Sequence, residues 1–98
     1  MQTKAERLVG LATRAGKTIT GLELCEKAVK NGKAKLIILA EDISENSKEF
    51  FVKSGVDVIC FDSREKIGKC TGKEMRSVAV ITDADFSAAI LKSYKENE

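Results

Sequence analysis

The 98-residue sequence has no histidine. No Ser-His or Cys-His pair can form, and the commonest general base near neutral pH is absent. Carboxylate and lysine chemistry stay open in principle, but nothing concentrates it. Asp83 and Asp85 are close in sequence, and capping of a helix by Thr82 or Asp83 accounts for the first of them. The expectation is a protein that is not an enzyme. Cysteine is scarce. Cys25, Cys60 and Cys70 are odd in number and lack CxxC spacing, which argues against a disulfide framework and a structural zinc. They read as buried small hydrophobes, and neither metal nor cofactor is expected. Proline is missing too. With no low-complexity segment and no internal repeat, nothing divides the chain, so residues 1–98 read as one domain. No apolar run approaches the roughly 18 residues of a membrane span. The opening "MQTKAERLVG" reads as a charged amphipathic start rather than a signal peptide. A cytoplasmic protein is expected. Aromatics are few: Phe50, Phe51, Phe61, Phe86 and Tyr94. They lie outside the basic segments described next, so no stacking platform for single strands is expected.

What is present is an ordinary globular composition, 43% hydrophobic and 33% charged. The net charge of +2 conceals a blocked distribution. Residues 1–40 carry eight Lys/Arg against three acids, and residues 41–62 two against six. Residues 63–76 carry five against two, and residues 77–98 two against four. If the fold joins the first and third blocks, they form a basic face suited to a polyanion. Chance clustering on a solvated surface gives the same counts.

Helical and strand patterns alternate along the chain. Residues 2–14 read as a helix with Ala5, Leu8, Val9, Leu11 and Ala12 on one side, ended by Gly16. "KTIT" is a short polar strand suited to a sheet edge. Residues 21–31 form a second helix, closed by Asn31-Gly32. "AKLIILA" (34–40) is a buried strand. A helix over 44–54 ends at Ser54-Gly55, and "VDVICF" is the next strand. Asp62 or Ser63 caps a short helix over 63–70, with Glu65 three residues after Asp62. "SVAVIT" (77–82) is another buried strand, and Thr82 or Asp83 caps a last helix over 84–95. The expected fold is α/β, a three-layer α/β/α sandwich on a small mixed sheet of about four strands.

"GLATRAGKT" (10–18) imitates a phosphate-binding P-loop but does not qualify. Five residues separate Gly10 from Gly16 where the motif needs four. The segment also leaves a helix and enters a strand, the reverse of the required order.

The second helix carries the candidate chemistry. Thr20 and Glu23 have capping-box spacing. Leu22, Cys25, Ala28 and Val29 share the expected buried face, while Glu23, Lys27 and Lys30 lie opposite. Glu23 and Lys27 can pair at i,i+4. Leu24 falls about 100° from the centre of the apolar stripe, at the core margin or exposed at the helix mouth. A capped joint explains these residues. So does an anion site: a helix start offers free amides and positive potential, and Gly21 lets a phosphate or base approach the backbone. Lys27 and Lys30 can take further phosphates, Glu23 can accept from a guanine edge, and Lys17 lies just upstream.

"GLELCEKAVKNGKAKLIILAEDIS" and "GVDVICFDSREKIGKCTGKEMRSVAVITDADFSAAI" together resemble the ribosomal-protein superfamily that binds kink-turn RNA, in order, spacing and residue type over nearly the whole chain. That superfamily includes large-subunit ribosomal proteins, core proteins of guide-RNA particles and the Pelota-type domain. A bacterial ribosomal-protein-like branch of the superfamily resembles this sequence well. The resemblance implies that the start of the second helix sits beside the loop before the last strand. By similarity, Gly21 is the helix-start glycine, Lys27 the helix lysine and Glu41 the acid after the central strand. Lys73, Glu74, Met75 and Arg76 fall in the loop that packs on a flipped-out nucleotide.

One departure stands out. Kink-turn readers of the family carry Asn then Glu, after the glycine and one spacer, for tandem sheared G·A pairs. Here Glu23 and Leu24 occupy those positions. Leucine accepts no hydrogen bond, and glutamate lacks the amide donor. The resemblance therefore implies RNA, ribosomal or otherwise structured, as the partner, with ribosomal proteins as possible neighbours. A protein-interaction module on the same scaffold, anchored by Leu24 and Met75, is the alternative.

Overall fold

Alternation along the strands sorts the core into two layers. In a computed structural model describing residues 2–96, Leu36, Ile38 and Ala40 face one apolar cluster, and Ile37 and Leu39 face the other. Ala79 and Ile81 oppose Val78 and Val80 in the same way. Successive side chains of a strand point to opposite faces, so a strand buried on both sides must be apolar throughout.

The elements are α1 (Lys4–Arg14), β1 (Thr18–Thr20), α2 (Leu22–Lys30), β2 (Leu36–Ala40), α3 (Glu45–Val52), β3 (Val58–Phe61), α4 (Arg64–Thr71), β4 (Val78–Ile81) and α5 (Ala84–Glu96). Ala5, Val9 and Ala12 of α1, Ile67 of α4 and Ile90 of α5 cover one face. Cys25 and Ala28 of α2 and Phe51 of α3 cover the other. The result is a three-layer α/β/α sandwich, and the nine elements lie within two residues of the sequence expectation.

The sheet order is β1-β4-β2-β3. β4 is antiparallel to both neighbours, and β2 and β3 are parallel. So β1, β2 and β3 point one way and β4 the other. The polar strand lies at an edge, as expected. This topology gathers the loops after Thr20, Ala40 and Phe61 and the loop before Val78 at one end of the sheet. Three backbone bonds close that end: Gly21 N–H to Val78 O at 3.4 Å, Ala40 N–H to Ser77 O at 3.0 Å and Glu41 N–H to Phe61 O at 2.9 Å.

Side-chain caps start three helices. Thr3 accepts from the amide of Glu6, Ser63 from that of Lys66 and Asp83 from that of Phe86. Asp62 does not cap α4; it pairs with Lys66 Nζ at 2.9 Å. Lys66 also reaches the buried Glu6 at 3.4 Å, tying α4 to α1. The hydrogen bond to Asp62 is the main cause holding the Lys66 pKa above its ordinary value.

Leu11 departs from expectation, being 47% exposed. It lies about 120° round the helix from the Ala5–Val9–Ala12 stripe, so it sits at the margin of the α1 contact. Cys25 and Cys70 are buried as expected, whereas Cys60 is only partly buried.

Candidate nucleic-acid interface

The start of α2 has no side-chain cap. Thr20 ends β1, and Gly21 takes the N-cap position at φ +96°. The expected Thr20–Glu23 capping box does not form: the N-cap is Gly21, so Thr20 lies one residue too early and Glu23 takes the second helical position rather than the third. Cys25 N–H bonds Gly21 O at 2.9 Å, the first turn of the helix ladder. No side-chain hydrogen bond caps the amides ahead of it. Such a terminus is positively polarised and donates to anions.

Opposite it lies the 72–76 loop. Gly72 ends α4 in the left-handed conformation at φ +71°. Lys73 N–H then bonds back to Gly68 O at 2.8 Å, and Arg76 N–H bonds Arg64 O at 3.1 Å. The loop is thus folded against α4. A Cβ on Gly68 would stand 1.3 Å from Glu74 O, so only glycine admits this path.

Between helix start and loop is a cleft of about 500 Å³ lined by Thr20, Gly21, Leu22, Leu24, Lys73, Met75, Arg76 and Ser77. Three apolar side chains stand open in it: Leu22 is 40% exposed, Leu24 61% and Met75 56%. Side chains on a helix tilt toward its N-terminus, which carries Leu22 and Leu24 past the end of the sheet. The cleft combines free amides, two cations and an apolar wall. That set suits a phosphate backbone with an unstacked base beside it.

Residues 3–91 match the Ribosomal protein L7Ae/L30e/S12e/Gadd45 family. The chain belongs to this family. The family takes its name from ribosomal proteins and Gadd45, not from enzymes. A relative from Enterococcus faecium, "RNA-binding protein YlxQ", is 43% identical over 88 residues, spanning 86% of this chain and 84% of the relative. The protein of that name from Bacillus subtilis (strain 168) is 36% identical over 88 residues, spanning 86% and 88%. A solved structure of a protein of unknown function from Bacillus halodurans C superposes with a TM-score of 0.88 at 32% identity, covering 96% of this chain and 99% of that one.

In this L7Ae/L30e/S12e/Gadd45-family chain the cleft unites five of the sequence-derived candidates: Gly21, Leu24, Lys73, Met75 and Arg76. Lys27 is exposed one turn beyond Leu24 on the same side of α2. The expected Glu23–Lys27 ion pair does not form; the ion pairs of the described residues involve other groups. Glu23 is exposed in the first turn of α2, outside the cleft lining. Glu74 contributes its carbonyl to the Gly68 contact.

Three candidates lie elsewhere. Lys17 precedes β1 at the opposite end of the sheet, where its carbonyl accepts from Thr82 N–H at 2.9 Å. Lys30 lies over the Phe50 ring at 5.7 Å, between α2 and α3. Glu41 lines a separate depression with Asp62 and Tyr94. Lys35 also sits at the far end, bonded to Ile81 O. The first basic block is therefore spread over both ends of the molecule, and only part of it joins the third.

Sequence reading missed Leu22, which is not buried with Cys25 and Ala28 but lines the cleft. It also missed Thr20, Ser77 and the supporting Gly68. A glycine inside a helix was the available signal for the last. Cys25 holds the helix start down. Its Sγ lies 3.3 Å from Ile19 O and 3.8 Å from Val78 O, donating to the carbonyls of the two strands beneath. Burial pushes its thiol up to about 12, so it remains a neutral donor. Burial likewise lifts Cys70 to about 11. No helix of the described residues is long and apolar enough to cross a membrane.

Proposed function

We propose that the chain acts as one RNA-binding domain, residues 1–98, which takes a structured RNA at the cleft between the start of α2 and the 72–76 loop. The observation that carries this reading is the uncapped helix start facing Lys73 and Arg76 across one cleft. The relatives named RNA-binding proteins support it. Amides, Lys73, Arg76 and Lys27 hold phosphates, and the Leu22–Leu24–Met75 wall takes a base out of the stack. Recognition is of shape and backbone more than sequence. The RNA is a kink-turn-like or related ribosomal element, met in the cytoplasm, with ribosomal proteins as neighbours.

Titration of such an RNA at several salt concentrations tests the reading. Cation-mediated binding falls steeply with ionic strength, and removing one phosphate contact lowers the log–log slope by about one. Lys27→Ala is expected to weaken binding and lower the slope in this way. Its stability should stay within about 0.5 kcal/mol of wild type, as for other exposed side chains. Unchanged affinity in the variant would remove Lys27 from the site.

The three exposed apolar side chains also favour a second reading, a protein-docking face on the same scaffold. Association there would be nearly indifferent to salt, so the same titration separates the two.

A further inference from the structure

A second basic depression adjoins the cleft. α1 and α4 leave between them a groove of about 560 Å³, lined among others by Arg7, Leu11, Arg14, Lys69, Thr71 and Gly72. Its lining contains no Asp or Glu. Arg7 and Arg14 are exposed and make no ion pair among the described residues. Lys69 has one partner, Glu65 at 3.8 Å, and both side chains are exposed enough for that pair to be weak. The depression on the other side of Lys69 is different: Glu6 and Glu65 line it with Lys66 and neutralise it.

The groove and the proposed RNA cleft share no lining residue but flank the same loop. Gly72 lines the groove and Lys73 lines the cleft, one peptide step apart. Along α1, Arg7 and Arg14 share a face about 10 Å apart, with Leu11 between them.

Gly10, inside α1, is the second observation. Glycine lowers helix stability, and here neither backbone nor packing asks for it. Gly10 is absent from the glycines with positive φ. A Cβ would meet only Cys70 O at 3.6 Å, an ordinary contact. Gly10 lines the groove with backbone alone, and no side chain there narrows it.

We infer that the α1–α4 groove carries the sugar-phosphate backbone of the same RNA onward from the cleft, with Arg7, Arg14 and Lys69 as phosphate contacts. The inference rests on the RNA reading above. The ligand is a polyphosphate strand and not a single anion, because three cations spread along a groove match repeated charge.

The experiment uses two kink-turn hairpins, one with a short stem and one with the stem longer by a helical turn, and the Arg7→Gln/Arg14→Gln double variant. Wild type is expected to bind the longer RNA more tightly, with a steeper salt dependence. The double variant should bind the longer RNA about tenfold more weakly and lower the log–log salt slope by about two. Its affinity for the short RNA and its Tm should match wild type. Wild-type affinity and slope of the double variant on the longer RNA overturn the groove while leaving the cleft standing. If wild type binds neither hairpin above a straight duplex, the cleft reading fails and the groove falls with it.

Discussion

Gly68 decides where the 72–76 loop lies. The carbonyl of Glu74 occupies the space a Cβ would need, and Lys73 bonds back to the same residue. Gly68→Ala must displace the loop backbone. We expect a loss of about 1–3 kcal/mol, typical of overpacking, together with weaker RNA binding. Denaturant unfolding and RNA titration of the variant check both; a variant with wild-type stability would mean the loop does not rest on α4. Gly10 shows why this was hidden from sequence. Both glycines sit inside helices, yet a Cβ on Gly10 meets its nearest neighbour at 3.6 Å. Spacing cannot tell the two apart, since the difference is made by a loop that returns from elsewhere. Cys25 is similar. Its burial followed from helical periodicity, but its bonds to Ile19 O and Val78 O depend on strands that only the fold brings beneath it.

Among the elements, α2 joins fold and site. Its buried face was legible from Cys25 and Ala28, because those residues point at the sheet in the middle of the helix. Its first turn was not. The same periodicity assigned Leu22 to the core, but Leu22 opens the helix directly after a three-residue strand, is 40% exposed and lines the cleft. The capping-box spacing misled because β1 runs through Thr20 and the helix starts one residue later, with Gly21 as its N-cap. Leu24 stands at the mouth of the cleft, where kink-turn readers of the family carry an acid. Leu24→Glu places a carboxylate there that accepts from guanine edges of a kinked RNA and repels the phosphates of a straight duplex. The expected outcome is a larger ratio of kinked to straight affinity, several-fold or more, read by competition titration. An unchanged ratio would place Leu24 away from the RNA.

For the whole molecule, topology does what the charge census only suggested. Reversal of β4 between β1 and β2 brings four loops to one end of the sheet. The layered fold was legible because each strand is an apolar run and each helix has one apolar stripe. The position of every charge was not legible: Lys17 and Lys35 went to the far end and Lys30 to a phenylalanine ring. What remains at the cleft is a small set of cations beside an apolar wall, and the RNA reading proposed above requires that combination to separate two kinds of RNA. A straight duplex offers phosphates, 2′-hydroxyls and base edges but no free base face, because its bases are stacked on one another. A kinked RNA offers phosphates and an extruded base for Leu22, Leu24 and Met75. The measurement that tests this most directly is a titration of labelled kink-turn RNA beside a straight duplex of equal length at near-physiological salt. The account predicts tighter binding to the kinked RNA, by roughly tenfold, the worth of about 55 Å² of apolar base face taken from water. Equal affinity for the two would contradict it and leave the start of α2 as a structural joint.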